Sequence, residues 1–349
     1  MRTLLKFIHT LDHKFNVYPG SYAINVKTES VTDQAFYDAI TNLPTSSDDY
    51  VFIYYDNHGG TGVLGTPTNH YIHADTLNEA LNSASSSKLY KQCLFIIEAC
   101  YSGSVAEFFT APNLATITTA NSVESSYAAV YDTKLGTYIS NEFTNYFIEL
   151  IDEKPSISIG ELYNTLKQET VQSHVCFYGD ESIQSVSLST FIGTPNRIIS
   201  HKVDKSNIKL VKPRDATFET LEYLSNHEKA SVRSRARLQI LRLKAQTEKL
   251  EAVLELLVKY VDPQNYEKIM NDTESKITSN YFQVLDVFFK QFGEINPDDY
   301  GRLNVLKALA SKHSKAEIVQ GIFAVIYWRK KISIARMTIM KFFNFEFHS

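Results

Sequence analysis

A cysteine and a histidine, each at the end of a predicted strand, are the residues of this sequence best suited to chemistry. Cys100 follows the apolar run Leu94–Ile97 and precedes a turn of Gly and Ser residues. His58 follows the apolar run Val51–Tyr55 and precedes Gly59. Short apolar runs are typical of buried strands in parallel sheets, and open α/β sheets bind ligands at their carboxyl edge. We therefore expect His58 and Cys100 to meet at one sheet edge.

A thiol beside an imidazole is the pairing that nucleophilic catalysis by cysteine requires, because the imidazole raises the thiolate fraction. The pattern predicts Cys100 as nucleophile and His58 as base or ion-pair partner. Gly59 allows close approach of the backbone, so the N–H groups of Gly59 and Cys100 are predicted to form an oxyanion hole. The residues alone leave an alternative open, in which Cys100 is a small buried hydrophobe and His58 is structural.

The residues around these two side chains resemble a known family. Asn57-His58-Gly59 after one strand and Glu98-Ala99-Cys100 after the next, about forty residues apart, resemble the two motifs of the legumain family of asparaginyl endopeptidases, cysteine peptidases with a caspase-like fold. The likeness covers roughly residues 15 to 195. Further matching segments are Tyr18–Gly20, Ala115–Asn121, Glu124–Ala128, Gly136–Tyr138 and Ser173–Val175.

The resemblance implies both a fold and an activity. Residues 1–192 are expected to form a caspase-like α/β domain, a mostly parallel sheet flanked by helices. The implied activity is hydrolysis of peptide bonds after Asn through a thioester on Cys100, with His58 as its partner. The expected substrates are proteins and peptides, and no metal or organic cofactor is expected.

A pocket for the substrate Asn is also implied by the resemblance, with Glu98, Ser125 and Asn141 as its lining. Strand alternation places Glu98 on the same face as Cys100. An amide side chain needs both acceptors and donors. Ser125 could equally be a turn or cap residue. The family carries an acid where this sequence has Asn141, and its loss implies weaker recognition of the substrate amide. The family carries another acid where this sequence has Asn57, and that acid is implicated in the family's ligase-type behaviour.

Helical patterns replace strand patterns in the second part of the chain. A linker is predicted over residues 193–215, an all-α domain over 216–326 and a tail over 327–349. One long helix is predicted from Val232 to Val261. Because Cys176 is the last cysteine, the helical domain is expected to be held by apolar contacts alone. The predicted apolar stripe of the long helix consists of Leu238, Leu241, Ala245, Val253, Leu256, Leu257 and Tyr260.

The helical domain resembles in position the prodomain that caps the active site of legumains, which implies that it is an intramolecular inhibitor. Asn226 lies near the site at which family members are cut and is the candidate for self-cleavage, although Asn is also a frequent helix cap. Residues 1–200 carry 10 Lys and Arg against 21 Asp and Glu, and residues 201–349 carry 25 against 18. This asymmetry favours attraction between the two parts, since no nucleic-acid motif is present.

The start of the chain does not match the family's first strand and helix, so we expect an N-terminal truncation. The first residues lack the features of a signal peptide, and no apolar run is long enough to span a membrane. The resemblance nevertheless implies a lysosomal or vacuolar enzyme. The tail at 327–349 mixes basic and aromatic residues, which fits either an unstructured end or an amphipathic surface-binding segment.

Three alternatives to an active asparaginyl endopeptidase remain. A truncated pseudopeptidase would keep the Cys/His pair without a competent pocket and would expose a sheet edge. A catalytic subunit of a GPI transamidase shares the pair, but it is disfavoured because such subunits carry a membrane anchor. A caspase-like peptidase of different specificity would need a differently arranged acidic pocket.

Overall fold

The computed structural model describes residues 4–5, 30–67, 71–132, 136–193, 209–293 and 295–328. The chain divides into two compact units, Met1–Ile240 and Leu241–Ser349. The first unit contains the described strands and the helices that cover them. The second contains helices and short 3₁₀ turns. The matched segment Tyr18–Gly20 and the tail beyond residue 328 lie outside the described residues.

A five-stranded sheet in the order β1-β2-β6-β7-β10 is the centre of the first unit. β1, β2, β6 and β7 are parallel, and β10 is antiparallel to β7. The strands of this sheet are β1 (Leu4–Leu5), β2 (Tyr50–Asp56), β6 (Gln92–Glu98), β7 (Leu114–Thr118) and β10 (Cys176–Gly179). Two small antiparallel sheets add β3 (Gly59–Gly60), β4 (Val63–Gly65), β5 (Tyr71–His73), β8 (Ala128–Asp132) and β9 (Thr137–Asn141).

Seven helices belong to the described part of the first unit, and an eighth starts in it. They are α1 (Asp33–Thr41), α2 (Ala74–Ser86), α3 (Gly103–Ala106), α4 (Glu142–Glu153), α5 (Ile159–Glu169), α6 (Leu188–Ile192), α7 (Pro213–Ser225) and α8 (Ala230–Val261). A 3₁₀ turn occupies Glu181–Ser185. Local sequence explains several boundaries, because Thr32 caps α1 and Ser158 with Glu161 forms a capping box at α5.

The central strands are buried on both faces. On one face, Leu94 and Ile96 of β6 belong to a core that includes residues of α4, α5 and α6. On the other, Phe95 stacks on Phe109 at 5.8 Å between ring centroids, and Phe36 of α1 meets Tyr55 of β2 edge to face. A strand with apolar contacts on both faces reads as a continuous apolar run, and this is why β2 and β6 could be predicted from the sequence. The predicted α/β class with a mainly parallel, helix-flanked sheet is confirmed.

The second unit begins within α8 and continues through short 3₁₀ segments and four further helices. Its elements are the 3₁₀ turn Pro263–Asn265, α9 (Tyr266–Met270), α10 (Ser279–Phe292), the 3₁₀ turn Pro297–Leu303, α11 (Asn304–Ala310) and α12 over residues 315–328. Its packing is not purely apolar, contrary to the expectation. Buried Asp299 accepts a hydrogen bond from Thr247 at 2.6 Å and pairs with Arg302 at 3.0 Å.

The predicted apolar stripe of α8 is wrong in part. Leu238 is 49% exposed and Leu241 is 65% exposed, and Leu256 and Tyr260 are exposed too. The buried positions recur at steps of four and three along the helix, and of the predicted stripe only Leu257 belongs to this heptad pattern, with Val253 buried beside it. These buried residues are Leu243, Thr247, Leu250, Leu254 and Leu257, with Val253 and Val258 beside them.

Two further differences concern boundaries. α7 begins at Pro213, inside the predicted linker 193–215, because Pro is well suited to the first turn of a helix. Leu4–Leu5 pairs in parallel with Phe52 and Ile53 of β2, although no strand was predicted there. The domain limits 1–192, 216–326 and 327–349 stay predictions, since α8 runs across the border between the two compact units.

Candidate active site

His58 and Cys100 follow two strands that lie side by side. β2 and β6 pair in parallel up to Asp56 and Glu98, which stand opposite each other at the carboxyl edge of the sheet. The chain then continues into the two loops that carry His58 and Cys100. The packing of Gly59 shows how close these loops are, because a Cβ atom there would overlap the Cys100 carbonyl oxygen and lie 2.9 Å from the Ala99 Cβ. Only glycine fits at this position.

The Cys100 loop is a tight turn between β6 and α3. Tyr101 has a φ of 58°, in the left-handed region that residues other than glycine rarely adopt. Its N–H donates to the Glu124 carbonyl at 2.7 Å. Ser102, which is buried, accepts a hydrogen bond from the Ala120 N–H at 3.2 Å. Both contacts come from the chain that follows β7, and they hold the turn and the position of Cys100.

The His58 loop is held through its main chain. The His58 N–H donates to the Asn57 side-chain oxygen at 2.7 Å, and the His58 carbonyl accepts from the Gly65 N–H at 2.9 Å. The Tyr55 hydroxyl lies 2.9 Å from the same carbonyl and donates to the Gly65 carbonyl at 2.7 Å. Asn57, which replaces the family's expected acid, therefore has a local role in fixing the turn before His58.

Glu98 is a buried carboxyl group, 1% exposed, at the last position of β6. The hydroxyls of Tyr54 and Thr144 both donate to its Oε2. Its Oε1 is buried and has no hydrogen-bond partner among the described residues. Burial, with a contribution from the carboxylate of Asp56, raises the pKa of Glu98 to about 7.

Asn141 lies at the end of β9 and meets the carboxyl end of β2. Its side-chain N–H donates to Asp56 Oδ1 at 3.2 Å. Burial also raises the pKa of Asp56 to about 6, but its side chain is more exposed than that of Glu98, so we assign the proton of the carboxyl pair chiefly to Glu98. The structure thus brings Glu98 and Asn141 to the same carboxyl edge, where Asp56 joins them, a residue that the sequence analysis did not consider. The pocket roles of Glu98 and Asn141 stay predictions.

Ser126, the residue after the predicted pocket residue Ser125, contacts Cys100. Ser126 Oγ lies 3.5 Å from Cys100 Sγ. The sequence cannot distinguish Ser125 from Ser126, because the two serines are adjacent. The path of the folded chain after Glu124 determines which hydroxyl contacts the sulfur of Cys100. The pocket role of Ser125 stays a prediction.

Asn226 is placed at the C-terminus of α7. It is exposed, and its side-chain N–H donates to the Glu222 carbonyl at 3.1 Å, so it is a C-cap in this structure. α7 itself packs against the β8–β9 hairpin. Thr220 donates to the Thr137 hydroxyl at 3.0 Å, and a Cβ atom on Gly136 would overlap the ring of Tyr223.

Membrane-spanning helices and metal sites are both absent from the described residues. None of the described helices is both long and apolar enough to cross a membrane. Over the same part of the chain, no group of three or more His, Cys, Asp or Glu side chains is arranged to hold a metal ion.

A mainly parallel, helix-flanked sheet that ends in a histidine loop and a cysteine loop at one edge defines an α/β protein of the caspase-like class. Residues 4–194 match the model of the Peptidase C13 family. This match covers more than half of the 349 residues. The chain belongs to the Peptidase C13 family.

Curated relatives agree with this assignment. The chain is 34% identical to legumain of Mus musculus over 161 residues, which is 45% of this chain and 37% of the relative. Identity to legumain of Homo sapiens is also 34% over 161 residues, with the same shares covered. It is 32% identical to a vacuolar-processing enzyme of Citrus sinensis over 217 residues, 54% of this chain and 42% of the relative. The matches span about two fifths of the length of these relatives.

Proposed function

We propose that this protein is a cysteine endopeptidase that cleaves peptide bonds after Asn. The observation that carries the proposal is the meeting of the His58 loop and the Cys100 loop at the carboxyl edge of β2 and β6, where Gly59 touches the Cys100 carbonyl. Membership of the Peptidase C13 family supports a peptidase, and the buried Glu98 beside Asn141 supports a pocket for an amide side chain.

The reaction divides into two acyl transfers. His58 takes the thiol proton, and the Cys100 thiolate attacks the carbonyl carbon of the scissile bond. The N–H groups of Gly59 and Cys100 stabilise the oxyanion. The amine leaves with the proton from His58, which leaves a thioester on Cys100. Water, deprotonated by His58, then attacks the thioester, and the acid product leaves as the Cys100 thiol is restored.

The pocket chemistry favours an amide over an apolar or basic side chain. A primary amide has two N–H donors and one carbonyl acceptor. The carboxyl group of Glu98 and the side-chain amide of Asn141 together supply the donors and acceptors that such a side chain needs. An apolar P1 residue would leave the buried Oε1 of Glu98 without a partner, at a cost of about 1–3 kcal/mol.

The test is hydrolysis of fluorogenic peptides that differ only in the P1 residue. Wild-type chain and Cys100→Ala are compared on Asn, Asp and Arg peptides from pH 4.5 to 7.5, before and after incubation at acidic pH. We expect cleavage of the Asn peptide that is absent in Cys100→Ala. Folded wild-type chain that cleaves none of the peptides under any of these conditions would refute the activity and favour a pseudopeptidase.

The same proposal includes inhibition by the chain's own helical part. Val211 forms an antiparallel bridge with Ala128, with N–H to carbonyl distances of 2.9 and 3.1 Å. Ala128 lies two residues after Ser126, which contacts Cys100. The segment from Val211 into α7 therefore lies beside the start of β8, two residues after the serine that contacts Cys100. This position supports a role for the segment in covering the site.

α7 is held on the β8–β9 hairpin by charged and polar contacts. Glu219 accepts from the Tyr138 hydroxyl at 2.6 Å and from the Lys209 ammonium at 2.7 Å. Self-cleavage after Asn226, at the end of α7, would separate this helix from α8. A lysosomal or vacuolar location is proposed from the likeness to legumains and to enzymes named as vacuolar-processing.

A further inference from the structure

We propose that Asp56 is a specificity-determining residue of this protein, which acts with Glu98 as a paired carboxyl site for the amide of the substrate's P1 side chain. The inference rests on the proposed function and extends it to a residue outside the expected pocket. It also answers how the pocket can work with Asn141 in place of an acid.

The register of the sheet places the two carboxyl groups together. Asp56 and Glu98 are direct partners at the last paired position of β2 and β6. Asn141 reaches Asp56 Oδ1 from β9 at 3.2 Å. The carboxylate that Asn141 lacks is thus present one hydrogen bond away, on the neighbouring strand end.

The unsatisfied oxygen of Glu98 points to a ligand. Tyr54 and Thr144 both contact Oε2, while Oε1 is buried without a partner among the described residues. Buried polar atoms are nearly always hydrogen-bonded, and leaving one unpaired costs about 1–3 kcal/mol. A substrate amide would supply the missing partner.

Two adjacent carboxyl groups suit an amide because they readily share one proton. Burial raises the pKa of Glu98 to about 7 and that of Asp56 to about 6, which agrees with a single proton held by Glu98 between these two values. In that state the pair offers one O–H donor and one carboxylate acceptor. The P1 carbonyl then accepts from Glu98, and the P1 N–H group donates to Asp56.

The test is the rate at which Cys100 is labelled by two peptidyl electrophiles, one with Asn and one with Ala at P1. Iodoacetamide, which has no P1 group, reports whether the thiol remains reactive. Asp56→Asn should lower the Asn-over-Ala labelling ratio about 10- to 100-fold, which corresponds to about 1.4–2.8 kcal/mol. Iodoacetamide labelling should change less than twofold. Asp48→Asn, an exposed Asp just before β2, is the matched control and should leave the ratio unchanged.

Exchange of the two side chains gives a second, independent measurement. Asp56→Asn combined with Asn141→Asp moves the carboxylate to the other side of the hydrogen bond. The Asn-over-Ala labelling ratio of this double variant should be at least about tenfold higher than that of Asp56→Asn alone. An unchanged ratio in Asp56→Asn, or no recovery in the folded double variant, overturns the role of Asp56. If wild-type chain itself does not prefer the Asn probe to the Ala probe, the proposed Asn specificity fails instead.

Discussion

Ser104 joins the two loops of the candidate site to each other, since its hydroxyl accepts a hydrogen bond from the Gly62 N–H at 2.8 Å. The same hydroxyl donates to the Tyr101 carbonyl at 2.6 Å. Gly62 belongs to the loop that follows His58, and Tyr101 follows Cys100. One buried side chain therefore sets the distance between the loops that carry the proposed base and nucleophile.

Ser104→Ala should loosen this link. The substitution leaves the Gly62 N–H without its buried partner, whereas the Tyr101 carbonyl keeps the hydrogen bond from the Ser104 N–H, so we expect a loss of about 1–3 kcal/mol in the free energy of unfolding. Labelling of Cys100 by the P1-Asn electrophile should also slow, because the loops no longer share a fixed spacing. Denaturant unfolding and labelling rates of the folded protein measure the two effects. Exposed Ser47→Ala is the control, and equal labelling in both variants would show that Ser104 acts on stability alone.

Gly59→Ala tests the close approach of the two loops directly. The added methyl group would overlap the Cys100 carbonyl, so the backbone at Cys100 or Gly59 must shift. A displacement of this kind at the proposed oxyanion hole should reduce kcat/KM at least about 100-fold, as loss of an oxyanion donor does. Peptide hydrolysis measures the change.

The control for Gly59→Ala is Gly293→Ala, where φ is +92° but no atom lies within 4 Å of the added Cβ. This variant adds backbone strain without a steric overlap, at a cost of about 1–3 kcal/mol, because the φ and ψ of Gly293 lie in a region that glycine alone readily adopts. It should keep full activity. A folded Gly59→Ala variant with wild-type activity would contradict the proposed oxyanion geometry.

Much of the fold could be predicted because the informative segments are buried on both faces. β2 and β6 are continuous apolar runs, and α1 has a clear N-cap at Thr32. The strand at Leu4–Leu5 could not be predicted, because two residues carry no periodicity. The stripe of α8 was misassigned because apolar residues such as Leu238 and Leu241 also lie on its exposed side.

The site shows the same division between local pattern and tertiary contact. His58 and Cys100 are marked by strand ends, so their approach follows from a parallel sheet. Asp56 was passed over because its importance depends on its partner across β6 and on Asn141, 85 residues away in sequence. The contact between Ser126 and Cys100 could not be predicted for a similar reason, because only the folded structure shows which of two adjacent serines faces the cysteine.

The paired carboxyl groups also predict how stability depends on pH. Glu98 has its pKa raised to about 7 in the folded protein, so the folded state binds more protons than the unfolded state above the ordinary Glu value of 4.5. The contribution of Glu98 to the free energy of unfolding is therefore fully present below pH 4.5, and it is lost as pH rises from 4.5 through about 7. Groups that face Glu98 are Tyr54, Asp56, Asn141 and Thr144, of which only Asp56 can also ionise in this range.

Glu98→Gln should remove most of this slope. We expect the wild-type free energy of unfolding to fall by on the order of 2 kcal/mol between pH 5 and 7.5 because of Glu98, and the variant to be flatter by that amount. Denaturant unfolding at several pH values measures it. Exposed Glu79→Gln should keep the wild-type slope. Parallel slopes for wild type and Glu98→Gln would show that Glu98 is ionised at neutral pH.

Weakening the contacts between α7 and the β8–β9 hairpin should increase the reactivity of Cys100. Glu219→Gln removes the ion pair with Lys209 and weakens the hydrogen bond from Tyr138. An exposed ion pair of this kind contributes about 0–1 kcal/mol, so the population with α7 released should rise by up to about fivefold. If this segment covers the site, labelling of Cys100 by the P1-Asn electrophile should accelerate by the same factor.

Glu222→Gln provides the matched control, because Glu222 lies on the same helix and is exposed. It should leave the labelling rate unchanged. Tyr138→Phe, which removes the hydroxyl that Glu219 accepts from, should accelerate labelling in the same direction as Glu219→Gln. Equal rates in wild type, Glu219→Gln and Tyr138→Phe would mean that α7 does not limit access to Cys100, and the inhibitory role would then have to lie with another part of the helical region.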